Sequence, residues 1–149
     1  MLRFTKTLLL AGSLVLSSSI ASFGADYVSI AKDGVNIRTG PSTDNPIYME
    51  LFKGYPLMII EKKGDWFKVQ DFEKDSGWVY STLVSSEKNV IVSATGKANM
   101  RSGPSTNNAI VASIERGVVL TLLDRKDKWV EVQHLSGTKG WIYAPLVWP

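Results

Sequence analysis

The chain has a single histidine, His134, and acid–base chemistry would have to centre on it. Laid over itself at a shift of 63 residues, the sequence places Asp71 opposite His134. No acid–base pair is therefore repeated, and a Ser-His-Asp triad would have to arise in one half alone. Cysteine is absent, which excludes disulfides, thiolate metal sites, a cysteine nucleophile and an acylated cysteine anchor. The acids Asp71, Glu73 and Asp75 are close in sequence but lie in a turn-like stretch, where solvated charge is expected in preference to calcium. No catalytic residue, metal ligand or cofactor is expected, and the chain is read as non-enzymatic.

Recognition chemistry is better represented. In the alternation of Val35 to Arg38, the side chains of Asn36 and Arg38 oppose Val35 and Ile37 and should point away from a core. Asn99 and Arg101 repeat this around Met100. Such a guanidinium can clamp a peptide carboxylate bidentately, or it can stack on an aromatic ring and tie down a loop. The same parity puts Trp66 with Lys68 and Gln70, opposite Phe67 and Val69, and sends Trp78 and Tyr80 to the face opposite Val79. Trp129, Trp141 and Tyr143 follow suit in the second half. Flat amphipathic rings on a sheet surface make a peptide-binding platform, unless the ends of the fold or a neighbouring module bury them. The candidate ligand-binding residues are Arg38, Trp66, Trp78, Tyr80, Arg101, Trp129, Trp141 and Tyr143.

These residues belong to a gapless internal repeat. Asn36, Arg38, Gly40, Pro41, Ser42, Thr43 and Asn45 recur as Asn99, Arg101, Gly103, Pro104, Ser105, Thr106 and Asn108. Trp66, Val69, Gln70, Gly77, Trp78 and Tyr80 recur as Trp129, Val132, Gln133, Gly140, Trp141 and Tyr143. Each copy reads as short strands punctuated by turn residues, as in Val118 to Leu123, with no useful helical stripe. About sixty residues in about five short strands can curl into a small barrel. In each Gly-Pro-Ser-Thr block, proline fixes the path of a loop, Ser and Thr can return hydrogen bonds to the backbone, and Asn36 or Asn99 can close an Asx turn. The expected domains are residues 25–86 and 87–149. The link Ser85-Ser86-Glu87-Lys88 is too short to let them separate far, so barrels docked or nearly docked are expected.

The runs Val35 to Thr43, Trp66 to Val69 and Gly77 to Tyr80, each present twice, resemble the bacterial SH3-like (SH3b) family. The resemblance covers nearly all of 27–149. It implies an all-β fold of two tandem SH3-like β-barrels. It also implies a place in an exported or cell-wall-associated protein, where such barrels accompany peptidoglycan hydrolases and bind wall peptides or partner proteins.

Composition sets the remaining bounds. Residues 1–24 hold Arg3 and Lys6, an apolar stretch from Leu8 to Leu16 and then small residues, the layout of a secretory signal cleaved at the Gly24–Ala25 bond, with Ala21–Ser22 as the alternative. Without the leader's two bases, fifteen Lys and Arg face fourteen Asp and Glu, a net charge of +1. That balance argues against nucleic acid as a partner. No later stretch is long and apolar enough to predict a membrane span. The expected location is the bacterial envelope, periplasmic or extracellular. The expected function is binding of cell-wall peptides, with an envelope adaptor or structural spacer as the alternative.

Overall fold

The computed structural model describes residues 25–149, so the expected signal segment lies outside the described residues. Two antiparallel sheets follow one another along the chain. The first contains β1 (Asp26–Ile30), β2 (Val35–Arg38), β3 (Ile47–Leu51), β4 (Pro56–Lys63), β5 (Trp66–Gln70), β6 (Ser76–Tyr80) and, after a 3₁₀ turn, β7 (Val84–Ser85). The second contains β8 (Asn89–Val92), β9 (Ala98–Arg101), β10 (Ile110–Ile114), β11 (Val119–Lys126), β12 (Trp129–Gln133), β13 (Lys139–Tyr143) and β14 (Val147–Trp148). The strand orders are the same, β3-β2-β6-β5-β4-β1-β7 and β10-β9-β13-β12-β11-β8-β14. The all-β class is as expected, with seven strands per barrel in place of about five. The two-residue β7 and β14 are too short for alternation to reveal.

Side chains from across each sheet meet in one cluster, which shows that each sheet is rolled. Ile30, Val35, Ile37, Leu51, Leu57, Val69 and Val79 form the first core, and Val90, Val92, Met100, Leu120, Val130, Val132 and Ile142 form the second. Glycine permits the tightest crossing. A Cβ on Gly77 would lie 2.5 Å from the Ile37 side chain and 2.9 Å from the Arg38 carbonyl oxygen. Gly140 meets Met100 and the Arg101 carbonyl in the same way. The Gly-Trp pairs of the repeat thus begin with a residue that lets β6 and β13 pass close under the strands bearing the arginines.

The barrels are docked. Ile91, from the second sheet, is buried in the first core, and Val119 and Trp148 pack against that core. At the junction, the Ser29 hydroxyl donates to the Glu87 carbonyl at 2.9 Å and accepts from the Asn89 amide at 3.1 Å. Tyr27 meets Trp148 edge-on, with ring centroids 5.7 Å apart. Arg116 sits 4.9 Å above the Phe72 ring and 4.0 Å from the Glu73 carboxylate.

Candidate ligand-binding grooves

Each groove lies between an arginine-tied loop and an aromatic pair. In the loop after β2, the Ser42 amide donates to the Gly40 carbonyl at 2.9 Å, and the Asp44 amide donates to the Ser42 hydroxyl at 3.1 Å. Gly40 leaves room for the Asn45 side chain, which would lie 2.6 Å from a Cβ there, and Gly103 and Asn108 repeat the fit, so Gly and Asn recur together in both copies. Arg38 fixes the loop through Nη1, which donates to the carbonyls of Thr43 at 3.0 Å and Asn45 at 2.9 Å. Arg101 repeats this with Thr106 at 3.1 Å and Asn108 at 3.0 Å. Of the two roles open to the arginines, the loop tie is formed, and it runs through backbone carbonyls and not through ring stacking. Among the described residues, neither Asn36 nor Asn99 makes the side-chain hydrogen bond that would close an Asx turn. The serines close the turns, and the two asparagines line the grooves instead.

Facing the loop is an aromatic pair set by sheet register. Trp66 stands opposite Tyr80 across β5 and β6, with ring centroids 5.5 Å apart at 69°. Trp129 and Tyr143 stand at 5.6 Å and 57°. Both tryptophans are half-buried and both tyrosines are exposed, as parity predicted. The first groove, about 600 Å³, is bounded by Arg38, Pro41, Ser42 and Thr43 on one side and Trp66 and Tyr80 on the other. The second, about 280 Å³, lies between Arg101 and Thr106 and the pair Trp129 and Tyr143.

Two of the expected platform residues stand apart from these grooves. Trp78 is only 8% exposed, and neither it nor Trp141 is among the groove-lining residues. Parity assigned Trp78 to the outer face correctly, but Arg38 and Lys68 flank it on both neighbouring strands, and long side chains there can cover an indole. At Trp141 the flanking residues are Arg101 and the shorter Glu131, and the indole is half-buried. Lys32 and Lys97 line the grooves but are not among the residues expected there, and Leu83 and Leu146, matched positions of the repeat, line them as well. The lysines lie outside the strands, where alternation gives no face, and the repeat sets Thr95 and Gly34, not lysines, opposite them.

The residues that suggested catalysis have structural tasks. Asp71 is buried, not solvated as expected. Its Oδ1 accepts from the backbone amides of Glu73 at 2.9 Å and Asp75 at 3.0 Å, and its Oδ2 accepts from the Tyr55 hydroxyl at 3.2 Å. His134 takes over the same turn in the second barrel, where its Nδ1 accepts from the Ser136 amide at 3.1 Å. Burial, together with the neighbouring Asp71 carboxylate, pushes the Tyr55 hydroxyl far above its ordinary value of 10.0. Among the described residues, no cluster of His, Cys, Asp and Glu could hold a metal ion, and no helix is long and apolar enough to cross a membrane.

The model of the bacterial SH3 domain matches residues 31–86 and again 94–149. The chain belongs to the bacterial SH3 domain family. It is 30% identical over 140 residues to a Bacillus subtilis (strain 168) protein named as an N-acetylmuramoyl-L-alanine amidase, YrvJ, a match covering 87% of this chain and 27% of that one. It is 38% identical over 60 residues to a Staphylococcus epidermidis protein named as a cell wall amidase, LytH, covering 40% of this chain and 21% of that one. The chain therefore spans about a quarter of the length of these relatives. Among solved structures, NlpC1 from Trichomonas vaginalis aligns at a TM-score of 0.38 and 18% identity over 92% of this chain and 50% of that one. An NlpC/P60 family protein from Bacillus cereus aligns at 0.37 and 16%, over 83% and 56%.

Proposed function

We propose that this chain is an exported, non-catalytic pair of SH3 barrels that binds cell-wall peptides in the Trp66–Tyr80 groove and its repeat. The observation that carries the reading is the groove itself, built twice from the same parts. A loop held rigid by an arginine faces a tryptophan–tyrosine pair across an open channel. Rigid aromatic walls offer contact area at small entropic cost, which suits an extended peptide better than a compact metabolite. The relatives named as cell wall amidases support the envelope as the place where such a peptide is met. The non-catalytic reading rests on Asp71 and His134, both of which are committed to holding turns.

Sedimentation of residues 25–149 with purified sacculi tests the proposal. The protein should pellet with the sacculi, and Trp66→Ala with Trp129→Ala should release it while leaving the fold intact. A folded protein that stays in the supernatant would end the wall-binding reading. Crosslinking in cells to one recurrent envelope protein would then favour an adaptor.

A further inference from the structure

The two grooves gather positive charge whatever the charge of the barrel around them. Residues 26–88 hold eight bases and ten acids, net −2, and residues 89–149 hold seven and four, net +3. Yet the first groove is lined by Lys32 and Arg38 with no acid, and the second by Lys97 and Arg101 with no acid. The lysines are not counterparts, because the 63-residue shift sets Thr95 opposite Lys32 and Gly34 opposite Lys97. Two different backbone positions thus bring an ammonium to the same groove beside the same arginine.

The arginines also keep donors in reserve. Nη1 of Arg38 is occupied by the two loop carbonyls, while Nε and Nη2 have no hydrogen-bond partner among the described residues. Neither Arg38, Arg101 nor Lys32 is paired with a carboxylate among the described residues. A half-buried guanidinium held in place by its other nitrogen matches a carboxylate in both charge and geometry, and little entropy remains to be lost on binding.

The geometry points to a free peptide carboxylate as the group that these grooves recognise. This deepens, and rests on, the reading of the grooves as sites for cell-wall peptides. The peptide backbone lies along Trp66 and Tyr80, and its carboxylate sits between Lys32 and Arg38. The first groove is the stronger of the two. In the second, Lys97 lies 3.9 Å from Glu115, an internal carboxylate that competes for it, whereas the first barrel has Phe52 at that position.

The test is a calorimetric titration of residues 25–149 with a synthetic cell-wall stem peptide in two forms, one with free carboxylates and one fully amidated. At low ionic strength the acid form should bind about tenfold more tightly, as a charge-assisted hydrogen bond implies, and the advantage should shrink with added salt. Lys32→Gln, on an exposed side chain, should remove more of that advantage than Lys97→Gln does. Equal affinity for the acid and amide forms would overturn the carboxylate inference and leave the peptide groove standing. Binding of neither form by the folded protein would end both. Glutarate binding as tightly as the acid peptide would mark a simple anion site and would also overturn the inference.

Discussion

Tyr55 and Val79 show what single residues do in so small a barrel. The raised pKa of Tyr55 means that the fold prefers the neutral phenol, so its contribution is fully present below pH 10 and is lost as pH rises through the higher folded value. Tyr55→Phe should therefore flatten alkaline denaturation above pH 10 while costing about 1–3 kcal/mol at neutral pH, because Asp71 loses a buried donor. Matching alkaline profiles for the variant and its parent would contradict that assignment. Val79 is fully buried in the core, and Val79→Ala should cost about 2 kcal/mol in thermal or denaturant unfolding. Trp66→Ala, on the groove wall, should cost less stability and more ligand. The inward and outward positions of Val35 to Arg38 and of Trp66 to Gln70 were legible because alternation along a strand fixes a face. The cover over Trp78 was not, since it depends on which long side chains the sheet register sets beside it.

At the scale of elements, the repeated motifs are explained by contacts between strand and loop. Gly40 makes room for Asn45, Gly77 makes room for the strand bearing Arg38, and Arg38 ties the loop. Gly77→Ala should thus do more harm than an ordinary strand substitution, about 1–3 kcal/mol from overpacking, read by urea unfolding. Arg38→Gln should leave the core intact but free the loop, and faster amide hydrogen exchange at Ser42 and Asn45 would report it. Unchanged exchange would mean that the loop holds itself. The motif spacing was plain in the sequence, and so was the loop. That the loop and the aromatic pair enclose a groove with one lysine in each barrel, Lys32 and Lys97, was not plain, because it depends on how the sheet rolls.

At the scale of the whole molecule, the barrels share more than a linker. In Val90-Ile91-Val92, Val90 and Val92 enter the second core and Ile91 enters the first, whereas the first copy has Tyr27-Val28-Ser29 there. An unbroken apolar run in one copy against a mixed run in the other marks a strand covered on both faces, and this is the sequence signal that locates the docking surface. Shared burial couples the folding of the two units, so calorimetry should show one unfolding transition, which Ile91→Ala should lower and broaden. Two independent transitions in the parent protein would contradict the docking. The central claim remains that peptide binds between the tied loop and the aromatic pair. Its most direct measurement is a nuclear magnetic resonance titration of the five tryptophan indole N–H signals with stem peptide. The account predicts that Trp66 shifts first and Trp129 follows, while the covered Trp78 and the interface residue Trp148 stay in place. Shifts confined to Trp148, or spread equally over all five, would contradict it.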